Sequence, residues 1–276
     1  MSNSKSKVQI SLTILLLSLI VLMSGGCVPP EANPTYASSN DIDTVIIQKT
    51  TISSGFTHTL AISEDGGLWA WGYNSRGELG DGTTTYQHSP IHIMNDVVAI
   101  SAGNFYSAAI RADSSLWVWG GSVRNQLRDD TITEWYSPVR VMDDVVAVSA
   151  GNSHAMAIRN DGSLWAWGLN SSGRLGDGTA TSRHSPTHIM DDVSVIYAGW
   201  SHSMAIKTDG SLWAWGGNHF GQLGDGTTEN RYSPVHIMCD VIAVSTWMTH
   251  TLAIKTDGSL WAWGRKIGVS SVTDHL

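Results

Sequence analysis

Asp161–Thr179 reads D-G-S-L-W-A-W-G-L-N-S-S-G-R-L-G-D-G-T, and it decides the fold because it recurs. Its first tryptophan, Trp165, has counterparts at Trp69, Trp117, Trp213 and Trp261, each 48 residues from its neighbour. Its second, Trp167, returns as Trp71, Trp119, Trp215 and Trp263. A period held without insertion along the array marks one supersecondary unit copied in tandem.

Around this stretch each unit resolves into four short strands. The first is apolar, as in Val97–Ala102, and the second follows a G-x-x-H bend, as in His154–Ile158. A D-G turn leads to the third, Leu164–Trp167, and a long Gly-rich loop to the fourth, near Pro186–Met190. β-Branched and aromatic runs of this length between Gly, Asp and Pro turns predict an antiparallel sheet per unit, with no helical period competing. Four strands every 40 to 50 residues describe a propeller blade. In W-A-W the tryptophans point to one side and a small residue to the other, so neighbouring sheets can nest. The W-x-W pairs hold ten of the 13 tryptophans and are expected to dominate stability.

The run S-A-G-N-S-H-A-M-A-I-R-N-D-G-S-L-W-A-W-G-L-N-S-S-G-R-L-G-D-G-T over 149–179 resembles the repeat of the RCC1 (regulator of chromosome condensation) superfamily, and the pattern covers about 45–264. The resemblance implies an all-β propeller of four-stranded antiparallel blades. The sequence holds five blades' worth of 48-residue repeats, with one fourth strand missing, where the family usually closes with seven. Either Ile267–Val272 or the segment before Val45 completes a five-bladed ring, or the chain is a piece of a longer array. Two departures stand out. The second unit loses the pattern over Gly121–Asp130, and Tyr106 replaces the recurrent histidine; residues 265–276 match nothing upstream.

Ahead of the repeats, residues 1–27 carry Lys5 and Lys7, an apolar run from Val8 to Met23 and the small residues Ser24-Gly25-Gly26 before Cys27. This is a signal-peptide layout whose end resembles a bacterial lipobox, with Cys27 the expected lipidation site and Ser24 a departure at the aliphatic position. Residues 28–44 are rich in Pro, Ser, Asn and Asp, as in a flexible linker. The domain is therefore expected to be exported, membrane-anchored or secreted. A net charge of −8 argues against nucleic acid as a partner, and two distant cysteines suggest neither a disulfide framework nor a metal site.

Antiparallel order places the strand 1–2 bends and the strand 3–4 loops on one face, and the D-G and M-D-D turns on the other. The turn face repeats Asp65, Asp113, Asp161, Asp209 and Asp257, which read as turn formers with solvated charges rather than a cation site. The loop face varies. Tyr73, Arg76, Tyr86, Phe105, Arg124, Trp135, Arg183, Trp200, His219, Phe220 and Arg231 are the candidate ligand-binding residues, since varied aromatics and arginines on rigid loops make binding surfaces. The recurrent His58, His154, His202 and His250 are each expected to meet one local hydrogen-bonding need, and L-G-D-G-T is a turn. Neither a catalytic constellation nor a cofactor motif is visible; the irregular second unit, with Arg124, Asp129, Asp130 and Glu134, is the place where a catalytic site would break the symmetry. The leading expectation is a non-enzymatic, lipid-anchored module that binds a protein or glycan at the cell surface. The alternatives are guanine-nucleotide exchange on a small GTPase, which the resemblance implies, and a cell-wall-active enzyme.

Overall fold

The computed structural model describes residues 51–121 and 135–265. It is all-β, with five consecutive antiparallel sheets, four of them four-stranded and the last three-stranded. Blade one comprises Thr51–Ser54, His58–Ile62, Leu68–Gly72 and Gln87–Met94; blade two, Val97–Ala102, Tyr106–Arg111, Leu116–Gly120 and Trp135–Met142. Blade three comprises Val145–Ala150, His154–Arg159, Leu164–Gly168 and Arg183–Met190. Blade four repeats this with Val193–Ala198, His202–Lys207, Leu212–Gly216 and Arg231–Met238, and blade five with Val241–Thr246, His250–Lys255 and Leu260–Gly264. The fourth strands begin about three residues earlier than their Ser-Pro pairs suggest, because a bulge between Ala166 and Gly168 lets the strand continue to Arg183.

The second strand of each blade packs on the first strand of the next, from blade one to blade five, and among the described residues no such packing joins blade five back to blade one, so the described array is open. Its core lies between blades rather than within them. Met156, Ile158, Leu164, Ala166 and Leu175 of blade three meet Val193, Ile196, Ala205 and Trp215 of blade four, and three equivalent clusters fill the other junctions. The tryptophan side of one blade thus nests on the small-residue side of the preceding one.

The two tryptophans of a pair do different work. Trp119, Trp167 and Trp215 are fully buried, and the indole N–H of Trp119 donates to Glu78 O, that of Trp215 to Arg174 O and that of Trp263 to Gln222 O, each in the preceding blade's loop at 2.9 Å. The first tryptophan of each pair lies farther out. Trp165 and Trp213 pack edge-on to His188 and His236 of the fourth strand at 5.5 Å, as Trp69 does to His92 at 5.4 Å.

Trp119, Trp215 and Trp263 are each received by a loop built to one plan. Asn170, fully buried, accepts from Leu175 N and donates its amide hydrogens among Asp177 Oδ1, Thr179 O and Thr181 O. Asn74 and Asn218 do the same. Gly176 then passes under the next indole with φ +83° and leaves 2.8 Å between a hypothetical Cβ and Trp215 Nε1, so only glycine fits. Asn170→Ala should cost about 3 kcal/mol, because it strands several buried backbone groups; the shift in urea midpoint, repeated with Asn74→Ala and Asn218→Ala, checks this.

Histidines seal three junctions. His58 Nε2 meets Ser107 Oγ and His154 Nε2 meets Ser203 Oγ, both at 2.8 Å, while His202 meets Thr246 Oγ1. Ser107 and Ser203 in turn donate to Glu78 O and Arg174 O. The second junction is built differently, and the irregular Tyr106 is the reason. There Ala155 stands where the other blades have Ser or Thr, and the longer tyrosine reaches past it to donate directly to His154 O. His250, on the far side of blade five, is exposed.

Candidate functional site

The turn face proves to be scaffold. Asp161 accepts from Ser163 N and Oγ, and Ser163 Oγ accepts from the indole of Trp165 at 2.9 Å; Asp113, Asp209 and Asp257 are arranged alike. The serine hydroxyl and backbone N–H hold these carboxyls below the usual range. The second acidic row, Asp96, Asp144, Asp192 and Asp240, adopts φ near +60°, and pairs with Arg111, Arg159, Lys207 and Lys255 of its own blades. Among the described residues, no three His, Cys, Asp or Glu side chains converge on one point.

On the loop face the strand 1–2 bends of all five blades converge on a cavity of about 50 Å³, lined among others by Phe56, Asn104, Asn152, Trp200 and Trp247. Backbone bonds step from bend to bend: Phe56 N to Gly103 O, Asn104 N to Gly151 O, Asn152 N to Gly199 O and Trp200 N to Trp247 O, at 3.2–3.4 Å. Asn104 also donates its side-chain amide to Asn152 Oδ1. The rim is rigid where it is tied, while Phe56, Trp247 and Met248 remain largely exposed.

The candidate residues fall into three groups. Tyr73 and Tyr86 come together at 4.5 Å between ring centres, and Arg76 lies over the Phe105 ring at 4.7 Å, with Phe56 edge-on to the same ring at 6.4 Å. They form two small clusters on the loops and bends of blades one and two, one of Tyr73 with Tyr86 and one of Phe56, Arg76 and Phe105. Trp200 sits across the cavity mouth, and exposed Phe220 carries Arg265 over its ring at 5.1 Å, with His219 exposed beside it. Trp135 opens the fourth strand of blade two and is half-buried. Arg183 and Arg231 are committed elsewhere: their guanidiniums bind Asp177 and Asp225 at 2.7 and 2.6 Å. Burial would raise those two aspartates, but bonds from the threonine, arginine and asparagine around each outweigh it and hold them low. Arg124, Asp129, Asp130, Glu134 and Cys27 lie outside the described residues.

Two features of this face escaped the sequence reading. Trp247, at the fifth bend beside Met248, joins the rim, where it takes the place of the glycine in the Gly-Asn and Gly-Trp pairs of earlier blades. Arg174 is nearly buried and donates to Trp200 O at 3.0 Å, so it braces the rim from behind; burial brings its guanidinium down to about 10. Its place in the motif is held by Glu78 and Gln222, so no recurring residue marks it in the sequence.

An array of antiparallel blades, each with W-x-W-G on its third strand and three of them with L-G-D-G-T in the loop that follows, defines a propeller of RCC1 type. The chain belongs to the RCC1-like domain family, whose profile matches residues 26–269. Among solved structures it resembles Prp20p of Saccharomyces cerevisiae (TM-score 0.69, 24% identity, 78% of this chain and 57% of that one) and human WBSCR16 (TM-score 0.67, 24% identity, 75% and 57%). A 42-residue stretch is 43% identical to the ultraviolet-B receptor UVR8 of Arabidopsis thaliana, covering 15% of this chain and 10% of that protein. The chain spans little more than half the length of the solved structures and about a tenth of UVR8.

Proposed function

We propose that this protein is a non-enzymatic interaction module that binds a protein partner through its loop face. The observation that carries the reading is the gathering of Arg76 and Phe56 on the Phe105 ring at the cavity rim that Phe56 lines, with Tyr73 paired to Tyr86 on the loop side of blade one. Stacked aromatics and arginine at the centre of a rigid face are the composition of energetic centres in protein interfaces. The turn face offers no comparable surface, since its acids are engaged in turns and ion pairs. Prp20p supports a protein partner in kind, as its structure is described together with its binding to Gsp1p and histones.

Export and lipid anchoring through Cys27 belong to the same reading and rest on the sequence of residues 1–27. Labelled fatty acid should enter the wild-type chain in bacterial cells and not Cys27→Ser. For the loop face, full-length protein with Phe56, Trp200 and Phe220 changed to alanine should keep its circular dichroism and lose most of its partner capture from a surface-protein extract. Unchanged capture would sink the loop-face assignment. A partner that survives protease treatment of the extract would be a glycan instead.

A further inference from the structure

The loop after the third strand takes one course in blades one, three and four. Gly77, Gly173 and Gly221 each donate N–H to the carbonyl of the buried asparagine three or so residues before, Asn74, Asn170 or Asn218, at 2.9–3.1 Å, and Leu79, Leu175 and Leu223 each donate to that asparagine's side chain. The residue between glycine and leucine differs. In blade one it is Glu78, whose Oε2 folds back to accept from Arg76 N at 2.9 Å; in blade four it is Gln222, whose Oε1 accepts from Phe220 N at the same distance. Each side-chain oxygen caps an N–H two residues earlier.

Blade three has no such oxygen. Its residue is Arg174, whose Nη1 donates to Trp200 O at 3.0 Å and whose Nη2 donates to Ser171 Oγ at 3.3 Å. A guanidinium carries donors only, so it cannot cap Ser172 N, the counterpart of Arg76 N and Phe220 N. Ser172 N–H has no acceptor among the described residues. The guanidinium is short of acceptors too: Arg174 is 6% exposed, its Nε has no partner, and among the described residues no carboxylate pairs with it, whereas Arg183 and Arg231 each hold an aspartate. A buried charge in that position is costly until it is paired. Its bond to Ser171 Oγ sets the guanidinium beside Ser172, and Ser171 is exposed and Ser172 half-buried, so the place is reached from solvent.

We infer that the blade-three loop is a binding site for a carboxylate from outside the chain, held by Ser172 N–H and the Arg174 guanidinium. The chain uses the same chemistry on itself in blade one, where the Glu78 carboxylate caps the equivalent N–H. An ionised acceptor suits the site better than a neutral one, because bonds to it are roughly twice as strong and it supplies the counter-charge that Arg174 lacks. The site rests on the geometry of one loop, and it stands or falls independently of the aromatic clusters of blades one and two.

The test uses the full-length, isotope-labelled chain, titrated with sodium acetate at constant ionic strength with sodium chloride making up the balance, and read by amide nuclear magnetic resonance. A saturable shift of the Ser172 signal is expected, while Arg76 and Phe220, whose amides have internal acceptors, stay in place. Acetamide, of the same shape and without charge, should move none of them. Arg174→Gln gives blade three the residue that blade four carries at this place; it should keep the wild-type circular dichroism and weaken acetate binding at Ser172 by about tenfold or more, the size of one charge-assisted hydrogen bond. A glutamate blocked at both backbone ends then separates the sources: a like shift admits a polypeptide side chain, and a shift with acetate alone assigns the site to small free carboxylates. No shift at Ser172, an equal shift at Arg76 and Phe220, an equal response to acetamide, or undiminished binding to Arg174→Gln would overturn the assignment.

Discussion

Trp215→Ala is expected to lower stability by about 3–5 kcal/mol, the range for emptying a large buried aromatic site, whereas Trp213→Ala, two residues away, should cost no more than about 1–2 kcal/mol. Trp215 is fully buried in the junction of blades three and four and supplies a donor to Arg174 O. Its loss leaves a cavity between two sheets that are fixed by their other contacts, and removes one of the two donors to that carbonyl, Ser203 Oγ being the other. Trp213 is half-buried on the outer part of the blade, where its losses are one hydrogen bond to Ser211 and the edge contact with His236. Urea midpoints of the two variants measure the difference. Equal shifts would mean that both indoles contribute alike, contrary to their geometry.

Acid should open the junctions, and three of the four carry the means. Burial pushes His58 and His202 down to about 4, Arg174 lowering His202 further, and takes His154 well below the ordinary value, again with Arg174 adding to it. Above pH 6.5 these imidazoles are neutral in both folded and unfolded chains, so they contribute no pH dependence. As pH falls below 6.5 the unfolded chain takes up protons that the folded chain refuses, and stability drops until the folded-state values near 4 are reached. A displacement from 6.5 to about 4 corresponds to about 3 kcal/mol for each of His58 and His202. That is a large share of the roughly 5–15 kcal/mol by which domains are stable. Urea midpoints between pH 7.5 and 4 should therefore fall steeply. The second junction supplies the control, because Tyr106 and Ala155 do the same job without a group that titrates in this range. His154→Tyr with Ser203→Ala should copy it at the third junction, leave the midpoint at pH 7.5 nearly unchanged and flatten its fall toward pH 4. An unaltered slope would remove His154 from the account.

The repeat made most of the fold legible before any coordinates. Strands, turns and the order of blades follow from local rules applied five times, and the structural roles of L-G-D-G-T and of His58, His154 and His202 follow from their recurrence. Periodicity gives the side of a strand, however, and not its distance from the centre, which is why the tryptophans of each pair looked equivalent. The exchange of histidine and serine for Tyr106 and Ala155 was hidden because its halves sit 49 residues apart in different units. Arg183 and Arg231 looked like ligand contacts, although a signal was available: both stand six residues after the aspartate of L-G-D-G-T, and Gln87 holds the same place with a bond to Asp81. A spacing that repeats points to the scaffold. The clusters of Phe56, Arg76 and Phe105 and of Tyr73 and Tyr86 have no such repeat behind them, so only the folded arrangement shows which of these side chains meet.

Because the core lies between blades, no blade is a folding unit by itself. Each is completed by the one after it, and cooperativity passes along the array from neighbour to neighbour. Among the described residues, blades two to four are each clasped by a blade on both sides, so amide exchange should be slow throughout them, and opening one junction should loosen the sheets on either side of it before the rest.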